Sequence, residues 1–256
     1  FGRWLPLRPS LSLSLPLWPP STIRIMVSFD KIDPLLEEDS KKAFEELKQL
    51  YDSGGESKNA DVLWRLAKAC HFMASDMEGK SPRKKETILK GRDYALAAYE
   101  LKPESFSVVK WAAILTGSST DFLGIKDKIE QGSKFKEFLD KALSMDANEF
   151  SLLHMRGRFA YSVASLSWLE RKAATAFFAA PPVATFDEAL RDFELANKVK
   201  PGWITNIIFI ARCHIAKKDN TSALPFLREI LISNAESDSD REIIAESRQL
   251  VAKYAK

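Results

Sequence analysis

The chain has 256 residues, 45% hydrophobic and 29% charged, a balance that fits a soluble globular domain or a short solenoid with a sizeable core. Its net charge of +3 sits in the first 25 residues, where Arg3, Arg8 and Arg24 meet no acid; the other 35 bases face 35 acids, which argues against a global nucleic-acid-binding field. The two cysteines, Cys70 and Cys213, lie outside any CxxC, which excludes a disulfide framework and fits a reducing cytosol.

Residues 1–25 carry five of the twelve prolines. They are expected to be a disordered tag or untranslated scar ahead of Met26. The other reading is a targeting segment, since the stretch is basic, Ser-rich and free of acids. The prolines leave no run of apolar residues long enough to cross a bilayer. From Asp39 onward the pattern turns helical. Ala43, Leu47 and Leu50 follow a helical period, and Gly54-Gly55 ends the run. Helix-length segments then alternate with short breaks, and no stretch alternates with the period of a strand.

One offset recurs along the chain: a small or apolar residue, then positions four, seven and twelve later. It appears as Gly91, Ala95, Ala98, Pro103; as Phe135, Leu139, Ala142, Ala147; as Ala189, Phe193, Ala196, Pro201; and as Ala223, Leu227, Ile230, Ala235. These offsets describe the second helix of a tetratricopeptide repeat and the break that ends it. The first helices are led by Trp64, Trp111, Leu153 and Ile207. Two antiparallel helices cannot bury their apolar faces alone, so neighbouring pairs must stack. The expectation is an all-α, right-handed tetratricopeptide-type solenoid spanning 26–256. It has about four helix pairs (about 60–105, 106–149, 150–203 and 204–237), an N-terminal half repeat around Ala43–Gly55 and a capping helix over 239–255.

The segments ADVLWRLAKAC, SFSVVKWAAILTG, FLGIKDKIEQG and AFFAAPPVATFDEAL resemble the regulator of microtubule dynamics family, in order from about Asn59 to Tyr254. The third-repeat insertion, SLSWLERKAATAFFAAPPVATF, is the most telling part, because an ordinary tetratricopeptide repeat lacks it. The resemblance implies a non-catalytic helical repeat protein that associates with tubulin or microtubules and spindle poles during chromosome segregation, in the cytoplasm and cytoskeleton. Some family members carry an N-terminal membrane anchor, and a related repeat domain can hold phospholipid. The segment before Met26 makes a poor anchor.

Inward-facing positions of the first helices are expected to be Arg65 and Phe72, then Thr116, then His154, Arg158 and Tyr161, then Arg212. Three arginines and a histidine on one concave face favour an acidic, extended peptide or tubulin tail. The alternative is that these arginines pair with acids on neighbouring helices. Lys80, Arg83, Lys84 and Lys85 are read as a basic loop in the linker of the first repeat, either touching a polyanionic lattice or simply solvated. Ser81, followed by Pro82-Arg83-Lys84, suits a proline-directed kinase. Trp168, Phe177 and Phe178, with Arg171 and Lys172 beside them, either pack on the third repeat or line an apolar cavity for a phospholipid.

Catalytic signatures are missing: there is no GxSxG, Walker loop, GxGxxG or HExxH. Cys70-His71 and Cys213-His214 occupy equivalent places in repeats one and four. They are therefore expected at opposite ends of the stack, where they cannot converge on a metal. No cofactor and no nucleic-acid partner are expected.

Overall fold

The computed structural model describes residues 29–53, 59–168, 171–172 and 183–255. Phe177 and Phe178 lie outside them. Among the described residues there are eleven α-helices, a 3-10 turn at Thr120–Phe122, and no strand. The short helix α1 (Ile32–Glu38) runs into α2 (Ser40–Asp52) through Asp39 alone, whose side chain accepts from the Lys42 N–H and so caps α2. The expected half repeat is thus fuller than its pattern indicates, because α1 precedes α2. Four pairs follow: α3 (Ala60–Ser75) with α4 (Pro82–Leu101), α5 (Phe106–Ser119) with α6 (Ile125–Met145), α7 (Phe150–Ala164) with α8 (Phe186–Val199), and α9 (Ile204–Ala216) with α10 (Asn220–Leu231). The closing helix α11 (Asp238–Tyr254) packs on α10 and α9.

Local chemistry sets the helix ends. Asn59, Ser81, Glu149 and Asp219 each accept a backbone N–H in the first turn that follows, satisfying donors a helix start leaves orphaned. Thr185 with Glu188 and Ser237 with Asp240 form reciprocal capping boxes. Helices α4 and α8 stop before Pro103 and Pro201, which disfavour the helical conformation of the residue ahead of them.

The first helices of successive pairs touch one another down the stack, α3 on α5, α5 on α7 and α7 on α9, whereas α4, α6, α8 and α10 make no extensive contact among themselves. The first helices therefore form the inner, concave layer. Between the layers lies the repeat-encoded core. Ala95, Ala98, Leu139, Ala142, Ala189, Phe193, Ala196, Ala223, Leu227 and Ile230 are all essentially inaccessible. Trp111 is buried as its lead position requires, but Trp64 is only partly buried and lies under the Arg65 guanidinium.

Close approach is possible because small residues occupy the crossings. A Cβ on Gly157 would stand 2.8 Å from the Phe193 ring, and one on Gly91 would stand 2.7 Å from Cys70 Cβ. Gly157→Ala is therefore expected to destabilise the protein by about 1–3 kcal/mol, since the buried ring cannot move aside without disturbing its neighbours. Gly132→Ala, inside α6 with nothing within 4 Å of the added carbon, is expected to be neutral or to stabilise by up to about 1 kcal/mol. Urea unfolding of the two variants checks the contrast.

Candidate functional site

Three of the predicted inward-facing residues meet. Arg158 and Tyr161 on α7 and Arg212 on α9 surround Phe209, also on α9. The Arg212 guanidinium carbon lies 4.7 Å from the Phe209 ring centre and that of Arg158 lies 5.5 Å from it. Tyr161 meets the same ring edge-on at 5.7 Å. Helical spacing explains the convergence: Arg158 and Tyr161 are three apart on α7, Phe209 and Arg212 three apart on α9, and the two helices are neighbours in the concave layer. Arg212 is held by Glu246 of α11 through a two-point fork, Nε donating at 2.9 Å and Nη2 at 2.5 Å. Arg158 is about half exposed and comes no closer than 3.9 Å to Asp121, beyond hydrogen-bond reach. The cluster is thus a partly open, two-cation aromatic patch suited to carboxylates.

The remaining predicted residues are elsewhere. Arg65 is almost completely buried. It donates to both carboxylate oxygens of Asp33 at 2.6 and 2.8 Å and is sandwiched between the Phe29 and Trp64 rings. The reason is α1, which covers this face of α3 and closes it to a partner. His154 is also internal: its Nδ1–H donates to Asn206 Oδ1 at 2.9 Å, and Asn206 Nδ2 donates to the Phe193 carbonyl at 2.8 Å. Thr116 is fully buried, and Phe72 is half-buried against Trp111. An unpredicted fork joins Arg156 on α7 to the buried Asp192 on α8 at 2.8 and 2.7 Å. Of the residues that complete the patch, Phe209 is two positions beyond the first-helix lead Ile207 and was within reach of the repeat register. Glu246 carried no signal, because its partner is 34 residues away.

The basic cluster is not a loop. Only Lys80 lies in the connection, where its ammonium donates to the Asp121 carbonyl at 3.1 Å. Arg83, Lys84 and Lys85 stand in the first turn of α4, which holds no acid there. Lys84 donates to the Met77 carbonyl at 2.8 Å, while Arg83 and Lys85 are exposed and form no ion pair among the described residues. Ser81 is the N-cap of α4, its hydroxyl accepting from the Lys84 N–H at 3.3 Å.

The insertion residues are likewise committed elsewhere. Arg171 donates to the carbonyls of Val163, Ala164 and Leu166 at 3.0–3.1 Å and so closes the C-terminus of α7, leaving its donors facing backbone. Trp168 is 73% exposed, with the Lys172 ammonium 5.2 Å from its ring.

Among the described residues no three potential metal ligands come together, and no helix is long and apolar enough to cross a membrane. Burial pushes both cysteine thiols up to about 12, so neither offers a thiolate at neutral pH.

The sequence profile of the family described as regulator of microtubule dynamics protein 1-3 matches residues 28–255. The chain belongs to the regulator of microtubule dynamics family. It is 41% identical to "Regulator of microtubule dynamics protein 1" of Caenorhabditis elegans over 89% of this chain and 100% of that one. It is 31% identical to the Bos taurus protein of the same name over 82% of this chain and 67% of that one. Among solved structures it is similar to MamA at 13% identity and a TM-score of 0.48, covering 84% of this chain and 93% of that one, too distant to bear on function.

Two histidines, His154 buried and His71 half-buried with its Nδ1 shut off from solvent, give this family member a pH signature. Burial, reinforced by Lys84 and Lys110, lowers His71 to about 4. Burial also lowers His154 to about 4, with Arg158 adding to the effect and the Asn206 hydrogen bond opposing it. The unfolded chain takes up these protons near pH 6.5, the folded chain only near 4, so stability falls as pH drops between those values. Burial raises the Glu149 carboxyl, but bonds from Lys110, Ser151 and the Leu152 N–H outweigh it, so the net shift is downward and its own contribution is lost only at still lower pH. The urea midpoint is expected to decline from pH 7 to pH 5, by about 2 kcal/mol per histidine in free energy. A flat midpoint over that range would contradict the assignment of both rings as neutral.

Proposed function

We propose that the chain binds tubulin or microtubules through carboxylate-seeking side chains on its concave face, and that it acts in the cytoplasm at the spindle and spindle poles during chromosome segregation. It holds a partner and turns over no substrate. The observation that carries this reading is the convergence of Arg158 and Arg212 on one Phe209 ring, with Tyr161 beside it. Guanidinium groups backed by an aromatic face recognise planar carboxylates in two-point geometry, and tubulin's tails are rich in carboxylates. The family supports the microtubule half of the reading, since the relatives are named as regulators of microtubule dynamics. The exposed Arg83 and Lys85 supply a second, non-specific attraction to the same acidic lattice.

Co-sedimentation with polymerised tubulin tests the proposal. The Arg158→Ala/Arg212→Ala double variant is expected to bind at least about tenfold more weakly, given the usual strength of charge-assisted hydrogen bonds. Arg83→Glu/Lys85→Glu is expected to weaken binding at low ionic strength and to matter little at high salt, where exposed charges are screened. Wild-type binding that ignores both salt and these substitutions would refute it.

A further inference from the structure

Three arginine–carboxylate forks hold the described structure together, and they are not alike. In Arg65–Asp33 the arginine side chain is 10% exposed, and in Arg156–Asp192 the aspartate is 9% exposed. Each of these buries one charge that would be stranded without its partner. In Arg212–Glu246 both members remain about one-third open, at 31% and 35%. Glu246 can therefore leave for solvent while staying charged, and Arg212 can accept another carboxylate in its place.

The surroundings favour that exchange. Helix α11 is anchored by Ile243, Leu250 and Val251 against the core of the last pair, so it does not depend on the fork to stay docked. Arg158 reaches the same Phe209 ring and, among the described residues, has no acid nearer than Asp121 at 3.9 Å. Asp121 is shared with the Lys80 ammonium, which donates to its backbone carbonyl, so the carboxylate an incoming group competes with most directly is Glu246 on Arg212.

We propose that the Arg158–Phe209–Arg212 patch is a carboxylate subsite whose resident occupant is Glu246, exchanged for a glutamate or aspartate side chain of an acidic, extended partner segment. This rests on the concave-face reading above and adds to it the position where the partner's carboxylate docks and the group it displaces. Glu246 sets the threshold for binding: only segments with enough acidic side chains to compete with a tethered carboxylate are retained.

Fluorescence anisotropy with a labelled hexaglutamate peptide at low salt, using the full chain, tests the exchange. Glu246→Gln keeps the shape and an acceptor but removes the charge, and is expected to tighten binding about two- to fivefold, the worth of an accessible ion pair. Glu242→Gln, on the same helix and exposed, changes net charge equally outside the patch and is expected to leave affinity unchanged. Arg158→Ala and Arg212→Ala are expected to weaken binding. Far-ultraviolet circular dichroism and the urea midpoint confirm that each variant is folded, and Glu246→Ala provides a second removal of the charge. If wild type binds the peptide but neither Glu246 variant binds more tightly than Glu242→Gln, the resident-competitor idea is overturned while the concave-face reading stands. If neither wild type nor Glu246→Gln binds hexaglutamate, the subsite is overturned. If, in addition, the double arginine variant co-sediments with microtubules like wild type, the concave-face reading falls with it.

Discussion

At Gly91, Gly117 and Gly157 neighbouring helices of the stack come so close that a single methyl group would collide with Cys70 and Leu115, with Met155 and Phe135, or with Phe193. A helix pair exposes an apolar face that only the next pair can cover, and the depth of that cover depends on how closely the axes approach. Small residues at the crossings permit the approach, and large ones opposite fill the space: Phe193 against Gly157, and Leu115 against Gly91. The relative rotation of α7 and α9, and hence the meeting of Arg158 and Arg212 over Phe209, is a consequence of this packing. The patch is assembled by the core rather than by any contact within itself.

Ion pairs fix what packing leaves open. Arg65–Asp33 ties the short α1 to the first full pair, Arg156–Asp192 ties α7 to α8, and Lys110–Glu149 crosses from α5 to the start of α7 at 2.5 Å. In each, one member is buried among apolar neighbours, where an unpartnered charge is costly and the pair acts as a register pin. Such pins explain why a concave face with several arginines is far less basic than its composition indicates. Among the described residues the region around Phe209 stays partly open, with the Arg158, Arg212 and Glu246 side chains 49%, 31% and 35% exposed.

The repeat was legible because its determinants are local and periodic. The offsets that placed Ala95, Ala98, Ala142, Ala196 and Ala223 in the core depend only on positions within one helix, and all five are inaccessible. The same periodicity put Arg158, Tyr161 and Arg212 on one side of the first helices, and in the structure these three side chains surround Phe209. The fate of each arginine was not, since it depends on a partner about 30 residues or more away on another helix: Asp33 for Arg65, Asp192 for Arg156, Glu246 for Arg212. His154 shows a second limit. A histidine on an inward position reads as polar and exposed, but Asn206 across the interface supplies a hydrogen bond, and the ring enters the core as a neutral group. Arg171 shows a third: a cation after a helix end reads as a ligand contact, while the orphan carbonyls of α7 are nearer.

The start of α4 breaks a local rule in a way the stack does not need. Cations in the first turn face the positive end of the helix dipole, which costs roughly 0.3–1 kcal/mol each when nothing offsets it. Lys84 recovers part of that cost through the Met77 carbonyl, but Arg83 and Lys85 are exposed and form no ion pair among the described residues. A departure from local preference without a compensating contact is characteristic of a surface shaped by something other than stability. The Arg158–Arg212 patch differs, because Glu246 pairs with Arg212 and Asp121 lies 3.9 Å from Arg158, so much of its charge is offset locally. At physiological ionic strength fields decay over about 8 Å, so only unneutralised charge can draw a partner from a distance. In the function proposed above, the two basic features divide the work by range: the α4 turn would attract an acidic surface, and the patch would select for the carboxylate able to replace Glu246.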